Sequence, residues 1–342
     1  METAFFLASN SGAGFYSLYD SFPGEGNFLH IIKGGPGTGK SSFMRAIAKA
    51  AQARGMDTEL ILCSADPNSL DGLYIPALKR AWVDGTAPHV REPGLFGISS
   101  DYVNLGVYFK GVLDKTSVAR AEELNKGHKK IYRSVYAFLS AEAAVARAYY
   151  TDTLEAEELQ RVEEMLTDIL SSETRCHKKY GGRVRRRFIS AVGSTGKIYL
   201  EDTIEKLCKQ NYCFNNPCHA HQILSSAARI AAEMGLEMIL CPEPLCPEHL
   251  EALLLPELGL CFSAANGDGE ASGLNISFGR TQMQRESRQD EKLIRGKLRG
   301  EAVACLAQAK ALHDELEMLY KPQMDFEALT DYTQAYIKSV FG

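Results

Sequence analysis

The stretch Ile31-Ile32-Lys33-Gly34-Gly35-Pro36-Gly37-Thr38-Gly39-Lys40-Ser41-Ser42 decides how this chain is read. It fits the pattern G-x-x-x-x-G-K-[ST], with Gly34, Gly39, Lys40 and Ser41 at the fixed places. Phe28 to Lys33 reads as a short apolar strand, and Ser41 to about Arg54 as a helix with Gly55 at its C-cap. A phosphate chain needs backbone N–H groups turned inward, and glycine permits that close approach. The opening turn of the helix adds free N–H groups and the positive end of its dipole. The expected cradle is Gly34, Gly35, Pro36, Gly37, Thr38, Gly39, Lys40, Ser41 and Ser42, binding ATP with Mg²⁺. Lys40 would reach the β- and γ-phosphates, and the Ser41 hydroxyl would be a ligand of the metal.

Working outward, Thr58 to Cys63 is a second, almost wholly apolar strand, as in a parallel sheet covered on both faces. Ala81-Trp82-Val83 is a third, ending in Asp84, the expected Mg²⁺-associated acid and a catalytic candidate beside Lys40. Gly85 follows where many ATPases carry a water-polarising Glu. Asp66, at the end of the second strand, is a candidate base or metal ligand, though its place before Pro67 favours a turn-forming role. His89 reads as a loop histidine just beyond Asp84.

At 342 residues there is room for one large or two medium domains. With 45% apolar and 24% charged residues and a net charge of -5, the chain has an ordinary globular composition. That balance gives no global drive toward nucleic acid or an anionic membrane. No run is long or apolar enough to span a bilayer, and Glu2 stands where a signal peptide carries positive charge. Nine cysteines without a secretion signal read as reduced thiols, so the expected location is cytoplasmic.

From about Ser117, apolar residues recur at helical spacing through Val118, Leu124, Ile131, Val135, Phe138 and Val145. After a break at Thr151-Asp152-Thr153 the pattern resumes at Leu159, Val162, Leu166 and Ile169, predicting a long helical hairpin over about 116–172. At Arg183 the chain starts again. Phe188 to Asp202 mirrors Phe6 to Asp20 at a shift of 182, and Tyr212 to Pro217 lies over Ile31 to Pro36 at 181. Tyr320, Met324, Glu327 and Leu329 lie over Tyr150, Leu154, Glu157 and Leu159 at 170. Such offsets predict a tandem duplication: a P-loop domain over 1–182 and a second unit over 183–342 ending in helices at about 285–341. The expected class is α/β, each unit a mostly parallel P-loop NTPase-like sheet with right-handed crossovers followed by its own hairpin.

The second copy has Asn215, Cys218 and Ala220 in place of Gly34, Gly37 and Gly39, and His221 and Gln222 in place of Lys40 and Ser41. Ala264 stands opposite Asp84, so one competent site and one degenerate site are expected. Cys218, His219, His221, Cys241 and Cys246 crowd this half, but C-x4-C-H-x-H is not a zinc spacing, and core packing is the preferred reading. The basic run Arg175, Lys178, Lys179, Arg183, Arg185, Arg186 and Arg187 reads as a solvated linker at the junction.

These features resemble a poorly characterised bacterial family of tandem P-loop ATPase-like proteins. The resemblance rests on Gly34 to Ser42, on Cys63-Ser64-Ala65-Asp66-Pro67-Asn68-Ser69-Leu70-Asp71-Gly72, and on Asp84-Gly85-Thr86-Ala87-Pro88-His89. It implies ATP binding and hydrolysis, and names no substrate or pathway. The residues leave three readings open: a Mg²⁺-dependent ATPase, a phosphotransferase that avoids activating water, and a nucleotide-gated adaptor whose long helices bind a protein partner. ATP is favoured over GTP because no N-K-x-D motif is present in a loop.

Overall fold

The computed structural model describes residues 1–87, 90–149, 153–174, 182–265, 274–276 and 285–342. The chain opens with β1 (Glu2–Phe5), the hairpin β2 (Ala8–Ser11) and β3 (Gly14–Ser17), β4 (Phe28–Lys33) and α1 (Lys40–Gln52). It continues through β5 (Thr58–Leu62), β6 (Leu70–Ile75), β7 (Arg80–Asp84), β8 (Ser100–Asn104), α2 (Lys115–Tyr149) and α3 (Ala156–Thr174). A second series follows: β9 (Val184–Arg186), β10 (Ser190–Gly193), β11 (Gly196–Tyr199), α4 (Glu201–Leu207), β12 (Gln210–Phe214) and α5 (Pro217–Glu233). It ends with β13 (Met238–Pro242), β14 (Leu250–Leu255), β15 (Leu260–Ala264), β16 (Leu274–Ile276), α6 (Arg285–Tyr320) and α7 (Phe326–Phe341).

The protein is mixed α/β. One six-stranded sheet has the order β1-β5-β6-β7-β4-β8, and the other β9-β13-β14-β15-β12-β16. The first strand of each sheet runs parallel to the second, the third is antiparallel to both neighbours, and the last three are parallel. Each sheet is therefore mostly parallel, as expected, with one antiparallel strand, β6 or β14, inserted among five that run the same way. Only residues 63–69 separate β5 from β6, and only 76–79 separate β6 from β7. A parallel crossover takes a dozen or more residues, so both connections must turn back as hairpins.

Helix α1 forms because Phe43, Met44, Ile47, Ala48 and Ala51 bury one face against the sheet. It ends where Gly55 adopts φ 72° and the Met56 N–H returns to the Ala51 carbonyl. Helix α5 ends in the same way, with Gly235 at φ 71° and the Leu236 N–H on Ala231.

The two halves share one core. Leu29, Ile31, Ile61 and Val83 of the first sheet join Ile239, Cys241, Leu254 and Cys261 of the second through Phe5–Ala8 and Phe188–Ala191. At the centre Phe6 and Phe188 exchange backbone hydrogen bonds of 2.9 and 2.8 Å.

The expected hairpin within each half is corrected, because the long helices exchange partners. Helix α2 packs antiparallel along α6, with Arg120 paired to Glu315 at one end and Arg299 to the buried Glu142 at the other. Helix α3 covers α5 and the second sheet through Val162, Leu166 and Leu170. Helix α7 covers α1 and the first sheet through Leu329, Tyr332, Tyr336 and Ile337.

Arg185 to Arg187 is not a solvated linker either, although Arg183 is exposed. Arg187, only 1% exposed, places Nε 2.5 Å from Oε1 of Glu59 and stacks over Phe22, while Arg185 bridges Glu59 and Glu237. Arg175, Lys178, Lys179 and the 151–152 part of the helix break lie outside the described residues. No helix among the described residues is long and apolar enough to cross a membrane.

Breaking a buried ion pair by removing one partner strands the other charge in the core. Arg187→Met should therefore cost about 3–5 kcal/mol of stability, read as a lower urea midpoint; an unchanged midpoint would show that Glu59 does not depend on Arg187.

Candidate functional site

Strand β4 lies between β7 and β8, both parallel to it, so the turns leaving β4 and β7 open at the same edge of the sheet. The chain leaves β4 at Lys33 and enters α1 at Lys40 through a loop in which Gly37 and Gly39 sit at φ 67° and 85°. Side-chain-bearing residues rarely adopt that region, so these two glycines are required by the path of the loop. Gly34 is required by space, since a Cβ there would lie 2.5 Å from Thr38 Oγ1.

Lys40 folds back over the loop. Its Nζ donates to the carbonyls of Gly34 and Gly35 at 2.9 and 2.8 Å, and stands 3.5 Å from Oδ2 of Asp84. The other Asp84 oxygen accepts from the Thr86 N–H at 2.9 Å and the Thr86 hydroxyl at 2.6 Å, which fixes the carboxylate's orientation. The Ser41 hydroxyl accepts from the Leu70 N–H at 2.9 Å, and the Thr38 hydroxyl donates to the Gly35 carbonyl. Ser42 is exposed on the first turn of α1. Thus the loop, Lys40, Ser41 and Asp84 come together in one place.

Asp66 is engaged elsewhere. Its Oδ1 accepts from the Asn68 N–H within its own turn, and its Oδ2 pairs with Lys310 of α6 at 3.3 Å. Those contacts fit the turn-forming role. His89 lies outside the described residues.

Beneath the site is a buried polar group that sequence reasoning did not single out. Burial, with the charge of Asp71 second, pushes both the Cys63 thiol and the Tyr19 hydroxyl well up. Asp71 itself is 7% exposed and directly precedes the Gly72 that pairs with Val83 of the Asp84 strand. Its quoted segment, Leu70-Asp71-Gly72, was the available signal: a carboxylate interrupting an apolar strand.

The outer wall of the loop comes from the other half of the chain. A Cβ on Gly35 would meet the Tyr320 ring at 3.2 Å, and one on Gly37 would meet Lys321 Cγ at 3.1 Å and the Glu317 carbonyl at 3.3 Å. One on Gly39 would meet Leu329 Cδ2 at 3.0 Å. The end of α6 and the start of α7 therefore rest on the loop. At that elbow Glu317 binds Lys321 at 2.7 Å and His313 at 3.5 Å.

The equivalent stretch of the second half has no such loop. Helix α5 already begins at Pro217, the counterpart of Pro36, and the N–H groups of His219 and Ala220 are tied to the Asn216 carbonyl. Gln222, the counterpart of Ser41, accepts from the Leu154 N–H at 2.9 Å. His221 stacks on His249 at 4.3 Å. Cys241 and Cys246 are buried, their thiols pushed up by burial, that of Cys246 to about 12. No group of three or more His, Cys, Asp or Glu with metal-binding geometry occurs among the described residues; the Cys218 side chain lies outside them.

Compared with protein families, with curated proteins and with solved structures, the chain matches none.

Hydrogen bonding from His313, and then from Lys321, holds the Glu317 carboxyl down at about 2, against 4.5 for the unperturbed group. A depressed folded value stabilises fully above the unfolded one and is lost as pH falls through the folded one. The α6–α7 elbow should therefore loosen on the loop between pH 4.5 and about 2, seen as faster amide exchange at Tyr320 and Lys321. Glu317→Gln should remove that acid dependence, and its persistence would place the titrating group elsewhere.

Proposed function

We propose that this chain is an ATP-binding P-loop protein, a Mg²⁺-dependent ATPase built from two tandem copies of one unit, with a single working site in the first. The observation that carries this reading is the apposition of Lys40 and Asp84, 3.5 Å apart, at the mouth of a strand–glycine loop–helix turn. The duplication is supported by the common strand order and senses of the two sheets, and by the reciprocal bonds between Phe6 and its counterpart Phe188. Cytoplasmic residence fits the seven described cysteines, all of them free.

The chemistry follows from the donors. Loop amides and the first turn of α1 bind phosphate oxygens, and Lys40 exchanges its two carbonyl partners for the β- and γ-phosphates. The Ser41 hydroxyl and Asp84 carboxylate are hard oxygen ligands of the kind Mg²⁺ takes when phosphates and water complete its shell. Bound Mg²⁺ would neutralise charge between the outer two phosphates. Catalysis would then be electrostatic, by groups already fixed before nucleotide arrives.

A second reading, phosphotransfer to a small acceptor, has one observation in its favour. A Cβ at Gly85 would lie 2.3 Å from Ile31 Cγ2, so a water-polarising side chain has no room directly after Asp84. Turnover that appears only with an added acceptor would select that reading.

Lys40→Ala should weaken Mg-ATP binding at least about tenfold, or about 1.4 kcal/mol, in calorimetry with the fold intact by circular dichroism. Asp84→Asn should leave metal-free ATP binding in place and remove its enhancement by Mg²⁺. Unchanged affinity in Lys40→Ala would overturn the site assignment.

A further inference from the structure

The Asp84 carboxylate does not offer both of its oxygens. Oδ1 accepts from the Thr86 N–H at 2.9 Å and from the Thr86 hydroxyl at 2.6 Å. A carboxylate oxygen has two lone pairs, so these two donors fill it. Oδ2, 3.5 Å from Lys40 Nζ, is the oxygen left. Ser41 is limited in the same way: its hydroxyl oxygen gives one lone pair to the Leu70 N–H at 2.9 Å and keeps the other. Each of the two candidate metal ligands is thus reduced to a single oxygen position.

The Thr86 contacts are more than the fold requires. The end of β7 is tied to β4 by the Gly85 N–H, which donates to the Ile32 carbonyl at 2.9 Å. The second half makes the same bond, from the Ala265 N–H to the Phe214 carbonyl at 3.0 Å, with Ala264 in place of Asp84. The strand therefore ends in the same way without a carboxylate for a hydroxyl to hold. In the first half Lys33 adds a further tie, its Nζ donating to the Gly85 carbonyl at 3.0 Å. What the Thr86 hydroxyl adds is a fixed orientation for one carboxylate and the closing of one of its two oxygens.

We propose that Thr86 determines the metal specificity of the nucleotide site, making it select Mg²⁺ over Ca²⁺, an inference that rests on the ATP-binding reading of the glycine loop. Mg²⁺ demands a near-ideal octahedron of oxygens and keeps several waters beside one or two carboxylates and the substrate's phosphates. Ca²⁺ takes a larger and looser shell, and accepts a carboxylate through both of its oxygens. An Asp84 whose Oδ1 is already filled can ligate only through Oδ2. That suits the smaller ion and withholds the second oxygen from the larger one.

The test uses full-length protein and a non-hydrolysable ATP analogue, titrated by calorimetry with Mg²⁺, with Ca²⁺ or with chelator. Wild-type protein should bind the Mg²⁺ complex more tightly than the Ca²⁺ complex. Thr86→Val keeps the side chain's shape and the backbone N–H but removes the hydroxyl, which frees one lone pair on Oδ1. It should lose about tenfold in affinity for the Mg²⁺ complex, the usual scale for a group that orients a metal ligand. Affinity for the Ca²⁺ complex should hold, so the preference narrows by the same factor. Thr86→Ser returns the hydroxyl and should return the preference. A wild type indifferent to the ion, a preference unchanged in Thr86→Val, or an equal loss with Mg²⁺, Ca²⁺ and chelator would overturn the proposal and leave the glycine-loop reading standing. An analogue that fails to bind, or binds Lys40→Ala as well as wild type, would overturn that reading and this inference with it.

Discussion

A six-stranded sheet is about 24 Å across at roughly 4.8 Å per strand, and one helix covers only about 10–12 Å of it. Each sheet here therefore needs two helices on its outer face, and its own βα turn supplies one. The second arrives from the other half: α7 joins α1 over the first sheet, and α3 joins α5 over the second. To make that exchange the chain must cross between halves twice, which is what the long antiparallel pair α2 and α6 does. The shared core and the buried Arg187–Glu59 pair then follow, since halves that trade helices must also be held in register.

Exchange has a direct consequence for the glycine loop. Because α7 must reach α1, the α6–α7 elbow lands on the loop, and Tyr320 and Lys321 come within 3.3 Å of where side chains on Gly35 and Gly37 would begin. Glycine at those positions serves two surfaces. The inner one would leave room for phosphate under the proposed function, and the outer one leaves room for a helix from the far end of the chain. Glu317, Tyr320 and Lys321 thus touch the loop from the end of α6, the helix that packs along α2.

Much of this was readable from the residues alone. Local signals placed β4, the loop, α1, β7 with its terminal Asp84, and the second start at Arg183. Periodicity placed the long helices within a few residues of their ends. What failed was everything set by partner choice. An amphipathic stripe such as Val162, Leu166 and Leu170 says that a face is buried and is silent on which sheet buries it. Arg187 looked solvated because its neighbours are charged, while its partner Glu59 is 128 positions away. The antiparallel β6 was not identified as a strand, although connections as short as 63–69 and 76–79 exclude a helical crossover on length alone.

The two halves carry different residues at the ends of their equivalent strands. Both ends of β4 carry polar groups: Lys40 and Asp84 at one, His30, Arg80 and Asp101 at the other. Both ends of β12 carry the residues a sheet would choose for itself, with Tyr212 stacked on Phe262, Leu260 buried, and Ala264 where Asp84 would stand. The turn after β12 is spent on extending α5 to Pro217, which satisfies the backbone that a phosphate loop must leave open. What the second half contributes at the loop is the end of α6 and the start of α7, which rest on its glycines.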